Sequence, residues 1–375
     1  MRFREFIRKK IVYIAGIPLI LVCVSEIYFR GCTHYCEPYF DKQTGIIKRE
    51  KNTEGIYKTH YTSTGYFRIN NEGWNSHRNY YKRSFNDSRD GTRAKLRIAV
   101  VGHSNIEGLR IPADKTLSKI LEDEMNKQGM GTEVYTFGFE SMHLAQALHV
   151  SRYVVSEFKP DILIIGTLLD NFLTGHTNKP YFLSLDINED GDIREIIPEK
   201  YSQNTDSPLS GLYFIKTVKY ADIRIREYLG RNNTSDSGSE GEKKESKIEW
   251  STVDTTLQTE TVKGLHYILR EFGKMVSGST SPNLQIFFID FPVVFSSYNY
   301  EFNFNPDGND MHHEQICKEI KAADFRVIHL ENILSNDYRI HHHKFDFPND
   351  DHFNQYAHKI IGEALSAYLL TNAFN

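Results

Sequence analysis

The chain contains 375 residues, of which 39% are hydrophobic and 13% aromatic, so it can bury a substantial core. Its formal net charge is -4, and no run of lysine and arginine alternates with aromatic residues, which argues against nucleic acid as a partner. The composition predicts a globular protein.

An apolar segment near the N-terminus predicts a membrane anchor. Residues 11–29, IVYIAGIPLILVCVSEIYF, contain one acid, Glu26, and are just long enough to cross a bilayer. Only Arg30 follows this segment closely, whereas five basic residues precede it: Arg2, Arg4, Arg8, Lys9 and Lys10. By the positive-inside rule we predict a single-pass protein of the inner (cytoplasmic) membrane, with residues 1–10 as a cytoplasmic basic tail and the bulk in the periplasm or outside.

Other interpretations of this segment fit the residues less well. A cleaved signal peptide needs an A-x-A-like site, which is not found, and a lipoprotein anchored at Cys23 needs a smaller residue than Val22. A buried helix does not explain the charge asymmetry. Beyond the segment, Cys32 and Cys36 either form a disulfide or stay reduced, and Cys317 is expected in the core.

Residues 30–95 are predicted to be an extracytoplasmic linker and N-terminal extension. From residue 38 onward this region is polar, rich in Tyr and Asn, and poor in long apolar runs. It therefore favours short strands and loops laid on another domain rather than an independent core.

From residue 96 to the end, strand-like and helix-like segments alternate. Five short apolar runs are rich in β-branched residues, and most intervening segments, such as LSKILEDEM, have helical periodicity. The runs are LRIAVVG, TEVYTFG, DILIIG, LQIFFIDFP and FRVIHL. This pattern predicts a parallel sheet with helices on both faces, and chemistry in such folds collects at the carboxyl ends of the strands, where Ser104, Gly138, Asp170 and Asn171 fall.

An insertion at about 173–250 interrupts the alternation. Asp186, Asn188, Asp190 and Gly191 occupy the early ligand positions of a calcium loop, but the twelfth position is Ile197 instead of Glu, so a β-hairpin turning at Asp190-Gly191 is favoured. Residues 231–247 are rich in Ser, Gly and charge and are predicted to be a disordered loop.

Three polar residues precede the amphipathic C-terminal helix. Asp350, Asp351 and His352 are candidates for acid–base chemistry, and helix capping is the alternative role for an acid at this position. The histidines at 341–343 and 312–313 lack the i, i+4 spacing of a zinc helix, so no metal and no cofactor is expected.

In order along the chain, five blocks resemble those of membrane-anchored bacterial members of the SGNH/GDSL hydrolase superfamily. They are FRINNEGWNS, VVGHSNIEGLRIP, TFGFESMHLAQAL, FKPDILIIGTLLDNF and DDHFNQYAHKIIGEAL. The resemblance implies a flavodoxin-like three-layer α/β/α sandwich over residues 96–375 and a serine hydrolase.

The resemblance also implies a role for each site residue. Ser104 is the expected nucleophile and His352 its general base, with Asp350, or alternatively Asp351, orienting the imidazole. The expected oxyanion donors are the backbone N–H groups of Ser104 and Ser141 together with the Asn171 side chain.

Three positions depart from the pattern of the superfamily. Ser141 stands where a glycine is usual, and the usual Asn-Asp order is reversed to Asp170-Asn171, so either Asn171 turns inward or the third oxyanion donor is missing. His103 replaces the Asp of Gly-Asp-Ser and is expected to support the loop, as are Gly102 and Gly138.

Two function classes follow. The first is a membrane-tethered esterase or O-acyltransferase acting on acyl esters, such as O-acetyl groups, of a cell-surface glycan or lipid, with a membrane-bound O-acyltransferase or another envelope protein as partner. The second is a catalytically weakened SGNH fold that serves as a binding or assembly module of the cell envelope, motivated by Asp170-Asn171 and His103.

Overall fold

The computed structural model describes residues 20–25, 36, 38–58, 64–83, 95–167, 182–188, 191–198, 255–278, 283–291, 309–347 and 350–374. Apart from the helical residues 20–25, these belong to one compact unit, Cys36–Tyr201 with Val253–Asn375. Within the described ranges, no helix combines the length and the apolar character needed to cross a bilayer. Most of the predicted anchor and the whole predicted loop 231–247 lie outside these ranges.

The structure contains short hairpins before and within an α/β core. The strands are β1 (Pro38–Asp41), β2 (Ile46–Arg49), β3 (Glu54–Lys58), β4 (Thr64–Arg68), β5 (Leu96–Gly102), β6 (Thr132–Gly138), β7 (Ile162–Gly166), β8 (Ser184–Ile187), β9 (Ile193–Ile196), β10 (Gln285–Asp290), β11 (Arg326–His329), β12 (Asp346–Phe347) and β13 (Asp350–Phe353). The helices are α1 (Ser104–Glu107), α2 (Leu117–Lys127), α3 (Leu144–Phe158), α4 (Thr255–Gly278), α5 (Asn309–Ala322), α6 (Glu331–His341) and α7 (Gln355–Asn372), with a 3₁₀ turn at Ala113–Lys115.

The five predicted apolar runs form one sheet, β5, β6, β7, β10 and β11, which confirms the predicted α/β fold with a parallel sheet. Their order is β6-β5-β7-β10-β11, and every pairing is parallel. Numbered along the chain, this is the 2-1-3-4-5 order of flavodoxin-like folds, in which the crevice for a ligand opens where the order reverses, between the first and third strands. Ser104 begins the segment that follows the first of these strands.

Both faces of the sheet are covered by helices because its strands are apolar on both sides. On β5, Ile98 and Val100 face the cluster that contains α2, α6 and α7, whereas Ala99 and Val101 face the cluster that contains α3, α4 and α5. Since strand side chains alternate between faces, a run such as LRIAVVG needs a helical layer on each side to remove all of them from water. The predicted three-layer arrangement is therefore present.

Glycines end β5, β6 and β7 and let α1 lie directly on the carboxyl edge of the sheet. Gly102 pairs with both Gly138 and Gly166 in the register. A Cβ on Gly138 would lie 2.3 Å from the Glu107 backbone N, and one on Gly102 would lie 2.0 Å from the Gly166 carbonyl oxygen. Neither position has room for a side chain. Gly102 and Gly138 therefore allow the backbone of α1 to lie close to the ends of β5 and β6.

The part of the extension that the structure describes packs on this core. Ile46, Ile47, Trp74 and Tyr80 are buried in the cluster on the α3 side of the sheet. The Tyr80 hydroxyl accepts from the Thr136 N–H at 2.5 Å and donates to the Thr136 carbonyl at 2.8 Å. Because β6 is an edge strand, Tyr80 supplies hydrogen bonds that a neighbouring strand would otherwise provide.

In the insertion, β8 and β9 pair as an antiparallel hairpin, in which Ile187 is opposite Ile193. Gly191 adopts a left-handed φ of +84°, as a tight turn requires. The hairpin, which the sequence favours over a calcium loop, is thus the structure found, although Asp190 lies outside the described residues.

Candidate active site

The side chains of Ser104 and His352 meet although 248 positions separate them in the chain. His352 Nε2 lies 2.8 Å from Ser104 Oγ, which is hydrogen-bonding distance. Both residues are partly exposed, so solvent and a substrate can reach them. A hydroxyl beside an imidazole nitrogen is the geometry in which a serine is activated as a nucleophile.

The loop that presents Ser104 is held by several local contacts. His103 precedes α1, and its Nδ1 accepts a hydrogen bond from the Asn105 N–H at 3.3 Å. Gly108 ends the helix in the left-handed region, with φ 63°, and its N–H donates to the Ser104 carbonyl. The helix thus consists of one turn, which presents Ser104 at its first residue.

A second hydrogen bond joins the segments that carry Ser104 and His352. The Phe353 N–H donates to Asn105 Oδ1 at 3.0 Å. Asn105 follows Ser104 and Phe353 follows His352, so this bond holds the two segments together next to the Ser104–His352 contact. Asn105 was not predicted from the sequence as a site residue.

His352 belongs to β13, which pairs with β12, and not to the first turn of the C-terminal helix. The N-cap of α7 is Asn354, whose side chain accepts from the Ala357 N–H at 3.0 Å. Neither Asp350 nor Asp351 is therefore the capping residue. The side chains of these two aspartates lie outside the described part of the structure, so the acid role stays a prediction.

The proposed oxyanion residues come from the two adjacent strand ends. Ser141 has a φ of +58°, the left-handed conformation that glycine adopts most easily. The Phe139 N–H donates to the Gly102 carbonyl at 3.0 Å, which ties the loop after β6 to the end of β5. Asp170 and Asn171 lie outside the described residues, so the third donor stays a prediction.

His103 is a buried residue of the loop that presents Ser104. It is 4% exposed, and its ring packs edge-on against Phe291 with centroids 5.2 Å apart. Together with its bond to the Asn105 N–H, this placement gives His103 a supporting position under the loop.

Glu107, the last residue of α1, forms a buried ion pair with Arg49 of the extension. Arg49 Nε donates to Glu107 Oε1 at 2.8 Å and Nη2 donates to Oε2 at 3.3 Å. Burial alone would lower the pKa of the Arg49 guanidinium, but the Glu107 carboxylate outweighs it and raises that pKa. Asn75 also donates to the Glu107 carbonyl at 2.8 Å. The extension therefore braces the turn that presents Ser104.

A third histidine near the site, His358, was not predicted from the sequence. Its Nδ1 accepts from the Leu117 N–H at 3.0 Å, so it supports the start of α2. Complete burial lowers the pKa of this imidazole to about 3, which keeps it neutral. Nothing in the local pattern marks it, since one histidine on an apolar helix face gives no motif. Arg49 likewise lies in a polar segment without a motif.

The sequence matches no family model and no curated protein. Among solved structures, a G-D-S-L family lipolytic protein from Desulfitobacterium hafniense is 11% identical over 73% of this chain and 99% of its own, with a TM-score of 0.36. The esterase EstA from a Pseudoalteromonas species is 9% identical over 75% of this chain and 100% of its own, with a TM-score of 0.38.

A carbohydrate acetylesterase, Est24 from Sinorhizobium meliloti, is 9% identical over 74% of this chain and 99% of its own, with a TM-score of 0.37. Matches at this level do not define the function of this chain, which has to be inferred from its own side chains.

Proposed function

We propose that this protein is a serine-dependent hydrolase of carboxylic esters. The observation that carries the proposal is the 2.8 Å separation of Ser104 Oγ and His352 Nε2. Ser104 starts a one-turn helix at the carboxyl end of the first strand of the parallel sheet, where ligands bind in folds of this strand order.

The reaction begins with proton transfer from the serine. His352 Nε2 takes the Ser104 proton while Oγ forms a bond to the ester carbonyl carbon. The tetrahedral intermediate then collapses, the C–O bond to the alcohol breaks, and the imidazolium gives its proton to that alcohol. Water attacks the resulting acyl-enzyme by the same route and releases the carboxylic acid and free Ser104.

Two further parts of the machinery belong to the proposal. Asp350, or alternatively Asp351, orients the His352 ring through Nδ1, and the N–H groups of Ser104 and Ser141 stabilise the oxyanion. Support for Ser141 is its left-handed backbone and the bond that ties the loop after β6 to β5. Asn171 is the proposed third donor, and its loss would cost about a hundred- to a thousandfold in rate.

The substrate proposed is an O-acyl ester, such as an O-acetyl group, of a cell-surface glycan or lipid. This choice rests on a proposed location outside the cytoplasm, tethered to the membrane, which is supported by the apolar segment 11–29 and the basic residues before it. An O-acyltransferase activity, with a sugar hydroxyl replacing water in the second step, and a membrane-bound O-acyltransferase as partner are parts of the same proposal.

The test is fluorophosphonate labelling of the full-length protein in detergent, followed by intact mass measurement. We expect one adduct on the wild type and none on Ser104→Ala or His352→Ala. Ser277→Ala is the matched control, because this exposed serine lies on α4 and bonds only to carbonyls of its own helix in the contacts described, and it should label like the wild type.

The absence of an adduct on a folded wild-type protein would refute the proposal. In that case the second function class, a binding or assembly module without catalysis, becomes the better explanation. If the adduct forms, acetate release from acetylated glycans measured with and without a glycan acceptor separates hydrolysis from transfer.

A further inference from the structure

Three side chains with metal-binding atoms meet at the far side of the sheet from β5. Asp290 ends β10 and His329 ends β11, and these two residues are paired in the strand register. Cys317 lies on α5, which packs over this part of the sheet. The ligand atoms of the three residues all lie within 4.8 Å of one another.

The cluster is mostly buried but open on one side. Asp290 is 7% exposed and Cys317 5%, whereas the His329 side chain is 41% exposed. His329 Nδ1 donates to Asp290 Oδ2 at 2.6 Å, and the Cys317 thiol bonds to the same carboxylate. Lys321 Nζ, one helical turn after Cys317, donates to His329 Nε2 at 2.9 Å.

We propose that Asp290, Cys317 and His329 bind a zinc ion, with water in the fourth position. Zinc takes thiolate, imidazole and carboxylate ligands at about 2.0–2.3 Å in a tetrahedron, so neighbouring ligand atoms stand about 3.3–3.8 Å apart. The imidazole and carboxylate reach that spacing by separating by less than about 1 Å from their hydrogen-bonding distance, and the thiol sulfur, which lies within 4.8 Å of both, reaches it by a shift on the order of 1 Å. A thiolate in the set favours zinc over magnesium or calcium.

The protons of the cluster balance in this step. The thiol loses its proton to solvent, and the imidazole proton moves from Nδ1 to Nε2, so the ring stays neutral while Nδ1 binds the metal. Lys321 then withdraws into solvent, because its ammonium and the new Nε2–H are both donors. One proton is released per zinc bound, and the two anionic ligands neutralise the ion.

The expected consequence of zinc is to fasten α5 to the edge of the sheet. β11 is the edge strand on this side, and β10 and β11 lie two and three strands from β5, about 10 and 14 Å across the sheet. The site is therefore separate from Ser104. The spacing of residues along the sequence does not indicate this site. Cys317 follows Asp290 by 27 positions and His329 follows Cys317 by 12 positions, so the three ligands meet only in the fold.

The test is a cobalt titration of the reduced full-length protein in detergent. We expect one cobalt ion per chain, the visible bands of a tetrahedral site, and a thiolate-to-cobalt charge-transfer band, all removed by added zinc. Cys317→Ser should abolish the charge-transfer band and weaken cobalt binding by more than about a hundredfold. A smaller loss of affinity is what the removal of a residue that only supports a ligand would cause.

Matched variants identify the site. The double variant Cys32→Ser with Cys36→Ser should keep the band, because the proposed ligand set does not include those cysteines. His329→Gln, at a side chain that is 41% exposed, should weaken binding, and Lys321→Gln should strengthen it by removing the competing ammonium.

Any one of three results overturns the proposal. These are a wild type without the charge-transfer band, a band that survives Cys317→Ser, and a band that disappears in the double variant. Melting temperatures of the metal-free variants show that each is folded, and proton release measured with a pH indicator during zinc addition provides a readout that does not depend on the cobalt spectrum.

Discussion

Removing Arg49 should destabilise the protein and disturb Ser104 together, because Glu107 would be left as a buried charge without a partner. The side chains of Arg49 and Glu107 are 6% and 2% exposed. Breaking a buried pair by removing one partner costs about 3–5 kcal/mol, mostly the penalty of the charge left behind. We expect Arg49→Met to lower the free energy of unfolding by this amount.

The double variant Arg49→Met with Glu107→Gln separates charge from packing. It leaves no buried ion, so we expect it to recover more than half of the stability lost in Arg49→Met. Lys359→Met is the surface control: the pair of Lys359 and Glu363 on α7 spans 3.9 Å with side chains 58% and 42% exposed, and its loss should cost less than about 0.5 kcal/mol.

Urea unfolding gives the stabilities, and the rate of fluorophosphonate labelling reports on Ser104. Displacement of α1 in Arg49→Met should slow labelling by about ten- to a hundredfold, the cost of a misplacement on the scale of 1 Å. If Arg49→Met costs no more than Lys359→Met, or if the double variant is as unstable as the single one, the reasoning about the buried charge is wrong.

Three further changes test other contacts of the site. In Gly138→Ala the new Cβ would lie 2.3 Å from the Glu107 backbone N, so fluorophosphonate labelling of Ser104 should fall sharply. Gly273→Ala in α4 is the control: a Cβ there meets nothing within 4 Å, so this variant should raise the free energy of unfolding in urea by up to about 1 kcal/mol. Ser141→Val should cost about 1–2 kcal/mol and slow labelling because its φ is +58°, whereas Ser141→Gly should retain both stability and labelling; equal losses in the two variants would contradict this. Burial lowers the pKa of His358 from 6.5 to about 3, so below pH 6.5 the imidazole is protonated in the unfolded chain but stays neutral in the folded chain. The free energy of unfolding should therefore fall by about 2 kcal/mol from pH 7 to pH 5. In His358→Asn, whose amide oxygen can still accept at the start of α2, this contribution should vanish from urea unfolding measured at both pH values.

Local pattern was sufficient for the layout of the sheet. Each of the five apolar runs forms a strand within two residues of its predicted limits, as LRIAVVG does in β5, because short runs rich in β-branched residues between polar segments favour strands. The preference for a hairpin in the insertion likewise rested on one residue, Ile197, where calcium needs a carboxylate.

Contacts made by isolated residues could not be predicted. Arg49 lies in a polar segment, and its partner Glu107 lies in VVGHSNIEGLRIP, where nothing in the local pattern indicates a partner. Their pairing depends on how the extension is laid over α1, which involves tertiary packing of two hairpins rather than any local preference. The same holds for Cys317, which was expected as a core residue and is one, but also contacts Asp290.

The sequence by itself determined the alternation of elements, because periodicity is a property of short stretches, and its resemblance to SGNH/GDSL hydrolases implied Ser104 and His352 as candidates. The 2.8 Å contact between them was decided by the tertiary structure alone. It depends on the parallel register that ends β5 beside β6 and β7 at glycines, on the one-turn helix seated there, and on β13 returning 248 residues later to the same edge. The relative position of residues so far apart in the chain depends on how the helices bury both faces of the sheet. No short stretch of sequence determines this packing, because each contributes only one strand or helix to it.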